Sequence, residues 1–535
     1  MNHHTPIISL LHPQSLTLSR GIKGGLLLLL ASVHVTAQAQ GVSTSKGSYL
    51  YQDAQEVWRN TNNAAGLGLD SLTNRGVTYF ELSQLNTDHH LVQNGDKQNT
   101  IHFLSERYQH IGKHLVGFGR FEFNTGRDFG RAWCDMLRTE HSNPYFSGSD
   151  KPGKYERQLI DLTAQLSTVQ IGPMTYGFRL DYKVGDYSRL KDPRSRVMMA
   201  EYRVAPSITY TLGQHSLGLV AHYQHYKEKL TGLTTVQTDA TLMYYQATGL
   251  EHVIGTVGGY NAFSREFVNH EFGIEFDYNF QTEAFQSLNA FGFEHARENM
   301  YEQYKAEPGA WRNQEWRFAS QNRISRGAKL HQLDLTLKYL PALGDEYRQQ
   351  KVIELNPETG ASTTYYQTLI TYKNRYELYE YQADFHYRLL WLDGAKTKAY
   401  AGVRATYQYD KEQYNLPVSF RKIGHLDTML EGGGALFSKG DRSFWAEAKA
   451  GYHVSTKSEL CLNDATGIYA TSVLLPDMDY YGANYYQGQL ELTYLMPVTF
   501  KGYRNIWYAK IGGSYLKTDN HTDGYYAAAS IGIYY

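Results

Sequence analysis

The sequence predicts an all-β fold: a transmembrane antiparallel β-barrel of about 18 strands, or 16 by a stricter count, with long extracellular loops and short periplasmic turns. Three observations carry this expectation. Apolar and polar residues alternate with a period of two in many segments. The links between segments alternate between short and long. The chain finishes on an alternating run, "YYAAASIGIYY", with no polar tail after Tyr535.

The alternation is clearest in "FGIEFDYNF". Phe272, Ile274, Phe276, Tyr278 and Phe280 share one face, and Gly273, Glu275, Asp277 and Asn279 share the other. Similar runs start at Tyr176, Leu333, Leu378 and Phe444. The clearest reach nine residues (Phe272–Phe280) to thirteen (Leu378–Leu390). A soluble sandwich also alternates, but its strands are usually about 5–6 residues long. Crossing a bilayer at a tilt takes about 9–11. Composition agrees, with 46 Tyr and 48 Gly against 13 Pro. Pro206 falls inside a predicted strand and suggests a bulge or break.

The short links include Gly172–Met174, Gly213–His215 and Arg326–Lys329. The long ones are Thr125–Gly153, Thr231–Glu266, Pro341–Asn374 and Ser455–Asn484. This asymmetry separates a periplasmic from an extracellular rim. It defines a barrel over residues 76–535, preceded by a segment at 40–75 that is either a small plug or a periplasmic tail.

Residues 1–39 read as a secretory signal peptide, with Arg20 and Lys23 before "GGLLLLLASV" and a small-x-small site at Ala37–Ala39. The expected route is the general secretory pathway, and the expected location is the cell outer membrane of a Gram-negative bacterium. A formal net charge of −1 gives no basis for nucleic-acid binding.

The inward-facing set mixes both signs: Arg179, Asp181, Lys183, Glu275, Asp277, Glu380, Asp384, Arg388, Arg404, Glu447, Lys449 and Lys510. Such residues either steer a solute through a wet lumen or pair across the wall. No metal or cofactor is expected. His222 and His225 fall on opposite faces, and the pair His89 and His90 in "DHH" has no third ligand nearby. The chain holds no G-x-S-x-G, H-E-x-x-H or G-x-G-x-x-G arrangement, so an enzyme is not expected. Cys134 and Cys461 fall in predicted external loops and form either a disulfide across the mouth or two free thiols.

The leader, the amphipathic strands and the terminal "SIGIYY" together resemble a Gram-negative outer-membrane β-barrel, porin-like in style and similar to uncharacterised Bacteroidota barrel families. The resemblance implies that Gly532, Ile533 and Tyr535 belong to a signal read by the barrel-assembly machinery. It also implies contact with outer-membrane lipids and lipopolysaccharide. "NNAAGLGLD" resembles the N-terminal hatch of long-chain fatty-acid channels through Asn63, Ala65, Gly66 and Leu67, with Ala64 where that family has proline. The segment before the barrel is far shorter than the plug of TonB-dependent receptors. The implied function is a channel or uptake protein for a small solute. The alternatives are a barrel that anchors surface lipoproteins or secretion components and, behind it, a barrel-rim enzyme.

Overall fold

The computed structural model describes residues 45–70, 74–138, 143–235, 242–257, 263–500 and 503–535. The predicted leader lies outside them. The strands are β1 (Arg75–Thr87), β2 (Lys97–Ile111), β3 (Leu115–Arg131), β4 (Ser147–Gly148), β5 (Gly153–Thr168), β6 (Met174–Arg189) and β7 (Arg194–Leu212). They continue with β8 (His215–Thr234), β9 (Met243–Ala247), β10 (Val253–Val257), β11 (Arg265–Gln281), β12 (Phe285–Tyr301), β13 (Gly309–Arg326) and β14 (Lys329–Leu355). The last are β15 (Ser362–Leu392), β16 (Thr397–Tyr414), β17 (Ser419–Lys439), β18 (Arg442–Cys461), β19 (Tyr485–Phe500), β20 (Tyr503–Thr518) and β21 (Asp523–Tyr534).

Eighteen of these form one antiparallel sheet, which removes the 16-strand count. The sheet closes because β21 pairs with β1, from Val77 opposite Tyr534 to Thr87 opposite Gly524. The three short strands β4, β9 and β10 form a separate sheet.

The barrel is apolar outside and polar inside. Phe272, Ile274 and Phe276 are 60%, 57% and 50% exposed, whereas Glu275 and Asp277 on the opposite face are 4% and 0%. An outward belt of this kind matches hydrocarbon rather than water. No helix among the described residues is long and apolar enough to cross a membrane.

Two expectations change. Pro341–Asn374 is not an irregular loop: β14 and β15 run through it as a hairpin, with 27 and 31 residues. From Tyr347 to Thr371 the two strands are laddered only to each other, forming a ribbon beyond the rim. Of the two expectations at Pro206, the break is found and the bulge is not. Its ring removes one backbone donor, so the β7–β8 ladder skips from Val204 to Ser207 and resumes in the same register.

The terminal residues sit at the closing seam. Tyr535 exchanges backbone hydrogen bonds with Gly76, at 2.8 and 3.1 Å. Its hydroxyl lies 3.3 Å from Thr78 Oγ1 and 3.4 Å from the Glu106 carbonyl oxygen, with the Arg107 guanidinium 5.5 Å from the ring centre. The ring therefore spans β21, β1 and β2. Gly532 makes room for Tyr508, because a Cβ there would fall 2.5 Å from that ring. Tyr525 and Ile531 point outward as the alternation requires, but Ile533 is buried at the seam.

Deleting Tyr535 removes this clasp. Such a barrel is expected to lose its heat-modifiable, fast-migrating gel band at a lower temperature, whereas Tyr535→Phe, which keeps the ring, retains most of the resistance.

Candidate functional site

Residues 45–70 lie inside the barrel. A helix, Lys46–Gln55, is capped by Ser45, whose Oγ accepts from the Ser48 amide at 3.2 Å. Two 3₁₀ turns follow, Trp58–Asn60 and Ala64–Leu69. Gly66 is required where they pack together, since a Cβ would come within 2.2 Å of the Trp58 ring.

Contacts with the wall run around the ring. Lys46 pairs with Glu447 on β18, and Tyr49 donates to Glu106 on β2. Gln321 on β13 donates to the Val57 carbonyl at 3.0 Å. The Asn62 side chain donates to Glu275 at 2.8 Å, and Asn63 to Asp277 at 2.7 Å, both on β11. The Ala65 amide donates to Ser207 on β7 at 3.0 Å, and its carbonyl accepts from Ser167 and Thr175 at 2.9 and 2.8 Å. Leu67 packs against Tyr108, Val116 and Phe118. The wall makes room with a glycine, because a Cβ on Gly177 would lie 2.0 Å from the Ala65 nitrogen. Most of these partners sit close to the short turns, so the segment occupies the periplasmic part of the lumen.

Above it the inner wall is laced with ion pairs. Arg179 and Asp181 meet at 2.7 Å, and Lys183 lines the same cavity of about 420 Å³ with Glu201 and Arg203. Lys338 bridges Glu315 and Glu380 at 3.2 and 3.3 Å. Asp384 accepts from Arg404 at 2.7 Å, and Arg388 donates to Glu431 at 2.8 Å. Lys510 sits between Glu81 and Glu491 at 3.4 and 3.5 Å. Lys449 lies opposite Glu431 in the ladder. Both signs are interleaved, within strands as well as between them, so the wall is polar without one-signed selectivity.

The extracellular mouth carries a folded lid. Paired β4 and β9 tie the β3–β5 link to the β8–β11 link. Trp133 packs on Tyr245 and Tyr469, with ring centres 4.5 and 5.4 Å apart. Buried Arg265 donates to the carbonyls of Tyr145 and Phe146, both at 3.1 Å. Arg138 reaches Glu298 and Glu228 at 2.9 and 3.4 Å. Cys134 and Cys461 are both free thiols, which removes the disulfide expectation. Cys134 is enclosed with Met136 and Tyr145, where burial pushes its thiol up, while Cys461 is exposed at the end of β18.

Under the lid lies a cavity of about 270 Å³, lined by His89, Tyr376, Asp427, His453, Tyr480 and Tyr485 among others. His453 Nδ1 is 2.7 Å from Asp427, and its ring stacks on Tyr485 at 4.4 Å. His89 stacks on Tyr480 at 4.3 Å, and burial beside His453 holds it down at about 4. Flat rings beside carboxylates suit a small polar solute. Sequence reasoning missed Asp427, His453 and Tyr480, which come from different strands and links with no local motif.

Fold and site together define a plugged and lidded outer-membrane β-barrel. Residues 64–535 match a family of unknown function, DUF6850, and the chain belongs to it. A search of curated proteins finds no match. Among solved structures, the chain is similar to a Pseudomonas aeruginosa FadL homologue, at 9% identity over 92% of this chain and 98% of that one, with a TM-score of 0.34. It is also similar to Pseudomonas aeruginosa OpdK with vanillate, at 8% identity over 86% and 98%, with a TM-score of 0.32. A third is the outer-membrane transporter YddB from Escherichia coli, at 8% identity over 86% and 80%, with a TM-score of 0.37.

One plug group sets a pH dependence. Asp70 is buried and accepts from the Trp58 amide at 3.4 Å, and burial pushes its carboxyl well above the usual range, with Glu56 adding to the shift. In an undocked segment it titrates near ~3.9. Between the two values the docked state binds more protons, so docking is strongest below the undocked value and weakens as pH rises through the docked one. Hydrogen-exchange protection of residues 58–70 is expected to be greater at about pH 5 than at about pH 8, after correction for intrinsic rates. Asp70→Asn is expected to flatten this difference and raise protection at the higher pH.

Proposed function

We propose that this protein is a gated uptake barrel that passes a small polar solute across the outer membrane. The observation that carries the reading is the docked segment 45–70, hydrogen-bonded to wall strands around the ring. Barrels of 16–18 strands otherwise enclose an aqueous channel. A plug with matched polar seats at one end and a lid over a ring-lined cavity at the other suit admission in two steps. Export through the general secretory pathway, with removal of residues 1–39, belongs to the same proposal. So does recognition of Gly532, Ile533 and Tyr535 by the assembly machinery. The assigned role is transport rather than catalysis.

Planar-bilayer conductance tests it. The intact barrel is expected to be closed or weakly conducting. Gly177→Ala forces the plug away from the wall at a cost of about 1–3 kcal/mol and is expected to raise open probability several-fold. Deleting residues 45–70 is expected to give a stable, larger conductance. Equal conductance in all three folded proteins would sink the reading.

A second reading, a barrel that docks a surface partner, is favoured by the β14–β15 ribbon. Ile353 and Leu355 on it are 60% and 68% exposed, at a height where the neighbouring strands have ended. Joining Glu346 to Tyr372 by excising the ribbon is expected to leave the barrel heat-modifiable and its conductance unchanged. Loss of a co-purifying surface protein on excision would favour this second reading.

A further inference from the structure

His222, Glu271 and Glu294 converge on the inner wall, between the plug's seat at Glu275 and the lid's partner Glu298. The ladder explains how. His222 on β8 stands opposite Gly273 on β11, and Gly273 stands opposite Glu294 on β12. Glu271 lies two residues before Gly273, on the same face. Three adjacent strands thus aim three ligand-type side chains at one point. Their ligand atoms all lie within 4.8 Å of one another, and His222 Nε2 is 3.2 Å from Glu294 and 3.6 Å from Glu271.

Gly273 makes the convergence possible. A Cβ at that position would sit 2.2 Å from His222 Cε1 and 2.9 Å from Glu294 Cγ. Its φ is not in the left-handed region, so backbone conformation does not demand glycine there. The space does: the missing side chain leaves the hollow into which histidine and glutamate fold. His222 is only 5% exposed, and neither Nδ1 nor Nε2 has a hydrogen-bond partner among the described residues, although Nε2 is aimed between the two carboxylates. An imidazole buried this deeply is normally satisfied on both nitrogens.

We propose that these three residues bind a divalent transition-metal cation of the Zn²⁺ type. One imidazole and two carboxylates suit Zn²⁺, Co²⁺, Ni²⁺ and Cu²⁺ better than Ca²⁺ or Mg²⁺, which prefer oxygen alone. Metal–ligand bonds of about 2.0–2.1 Å in a tetrahedral arrangement place ligand atoms roughly 3.3 Å apart, close to the two histidine–glutamate separations. The cation would bind Nε2, leaving the proton on Nδ1. Arg203 contacts Glu294 at 3.0 Å and is placed to orient that carboxylate from outside the ligand set. Three protein ligands leave a fourth position open toward the lumen, where a water or a donor atom of a solute completes the coordination. The proposal rests on this cluster and not on the transport reading.

The test uses the full-length folded barrel in detergent, purified without a polyhistidine tag, stripped with chelator and carrying Cys461→Ser to remove the exposed thiol. Titration calorimetry with Zn²⁺ is expected to give one ion per chain. Cu²⁺ is expected to give a paramagnetic-resonance spectrum with coupling to a single imidazole nitrogen. His222→Gln and Glu294→Gln are each expected to weaken binding by at least about tenfold. Gly273→Ala should do the same with every charge intact, and the heat-modifiable band shows that each variant is folded. His225, on the outer face with its ring centre 4.7 Å from that of His270, is the control. No stoichiometric ion in the parent protein, or binding that survives His222→Gln or is lost in His225→Asn, overturns the proposal.

Discussion

Everything in this molecule depends on one constraint: a backbone inside hydrocarbon has no water to bond with. Each N–H and C=O in the membrane must find a neighbouring strand, and an open sheet would leave two unpaired edges. The β1–β21 ladder removes both edges at once. That seam joins residues more than 400 positions apart in sequence, so it closes the longest loop of any ladder in the wall. Placing the last aromatic ring across it, against both β1 and β2, puts extra contact where that loop closes.

Closure then dictates the chemistry of the interior. Side chains alternate, so every lipid-facing Phe, Ile or Tyr brings an inward neighbour into a space shared with plug, lid and water. Carboxylates in that space need partners, because an unpaired buried charge is costly. The wall supplies them in two ways. Higher up, arginines and lysines on neighbouring strands answer them, as Lys338 does for Glu315 and Glu380. Near the periplasmic turns, Glu275 and Asp277 take neutral amides from Asn62 and Asn63 instead. The plug is thus part of how the wall satisfies its own charges.

This division explains what the sequence reveals. Strand number, rim assignment and the inward set follow from period-two alternation and link length, both local properties. The hatch-like residues were legible too: Asn63, Ala65 and Leu67 are among those that seat the segment on the wall, and Gly66 lets it pack on its own Trp58. Contacts between distant strands were not legible. Alternation places His222 and Glu294 on the inner face, but only the register across Gly273 brings them together. Loop position left Cys134 and Cys461 either paired or free; both are free thiols, and arginine–carboxylate pairs hold the lid. The β14–β15 ribbon was misread because its polar alternation beyond the membrane looks like loop.

The two closures differ in what opening would cost. Breaking the lid would strip Arg138 from the buried carboxylates Glu228 and Glu298, and losing a buried partner costs about 3–5 kcal/mol. It would also pull Trp133 from its aromatic neighbours. The bonds around Asn62–Ala65 are made by neutral plug groups, worth about 0.5–1.5 kcal/mol each, or about 1.5–3 where a carboxylate accepts. Their wall partners face a lumen that water can re-enter, so undocking exchanges those bonds rather than orphaning them. The Glu56–Arg75 pair, with both side chains buried, lies where the segment joins β1. It can stay intact while the Asn62–Ala65 turn leaves the wall. The Asn62–Ala65 turn is therefore the cheaper contact to release, while the Lys46–Glu447 and Glu56–Arg75 pairs hold the rest of the segment to the wall.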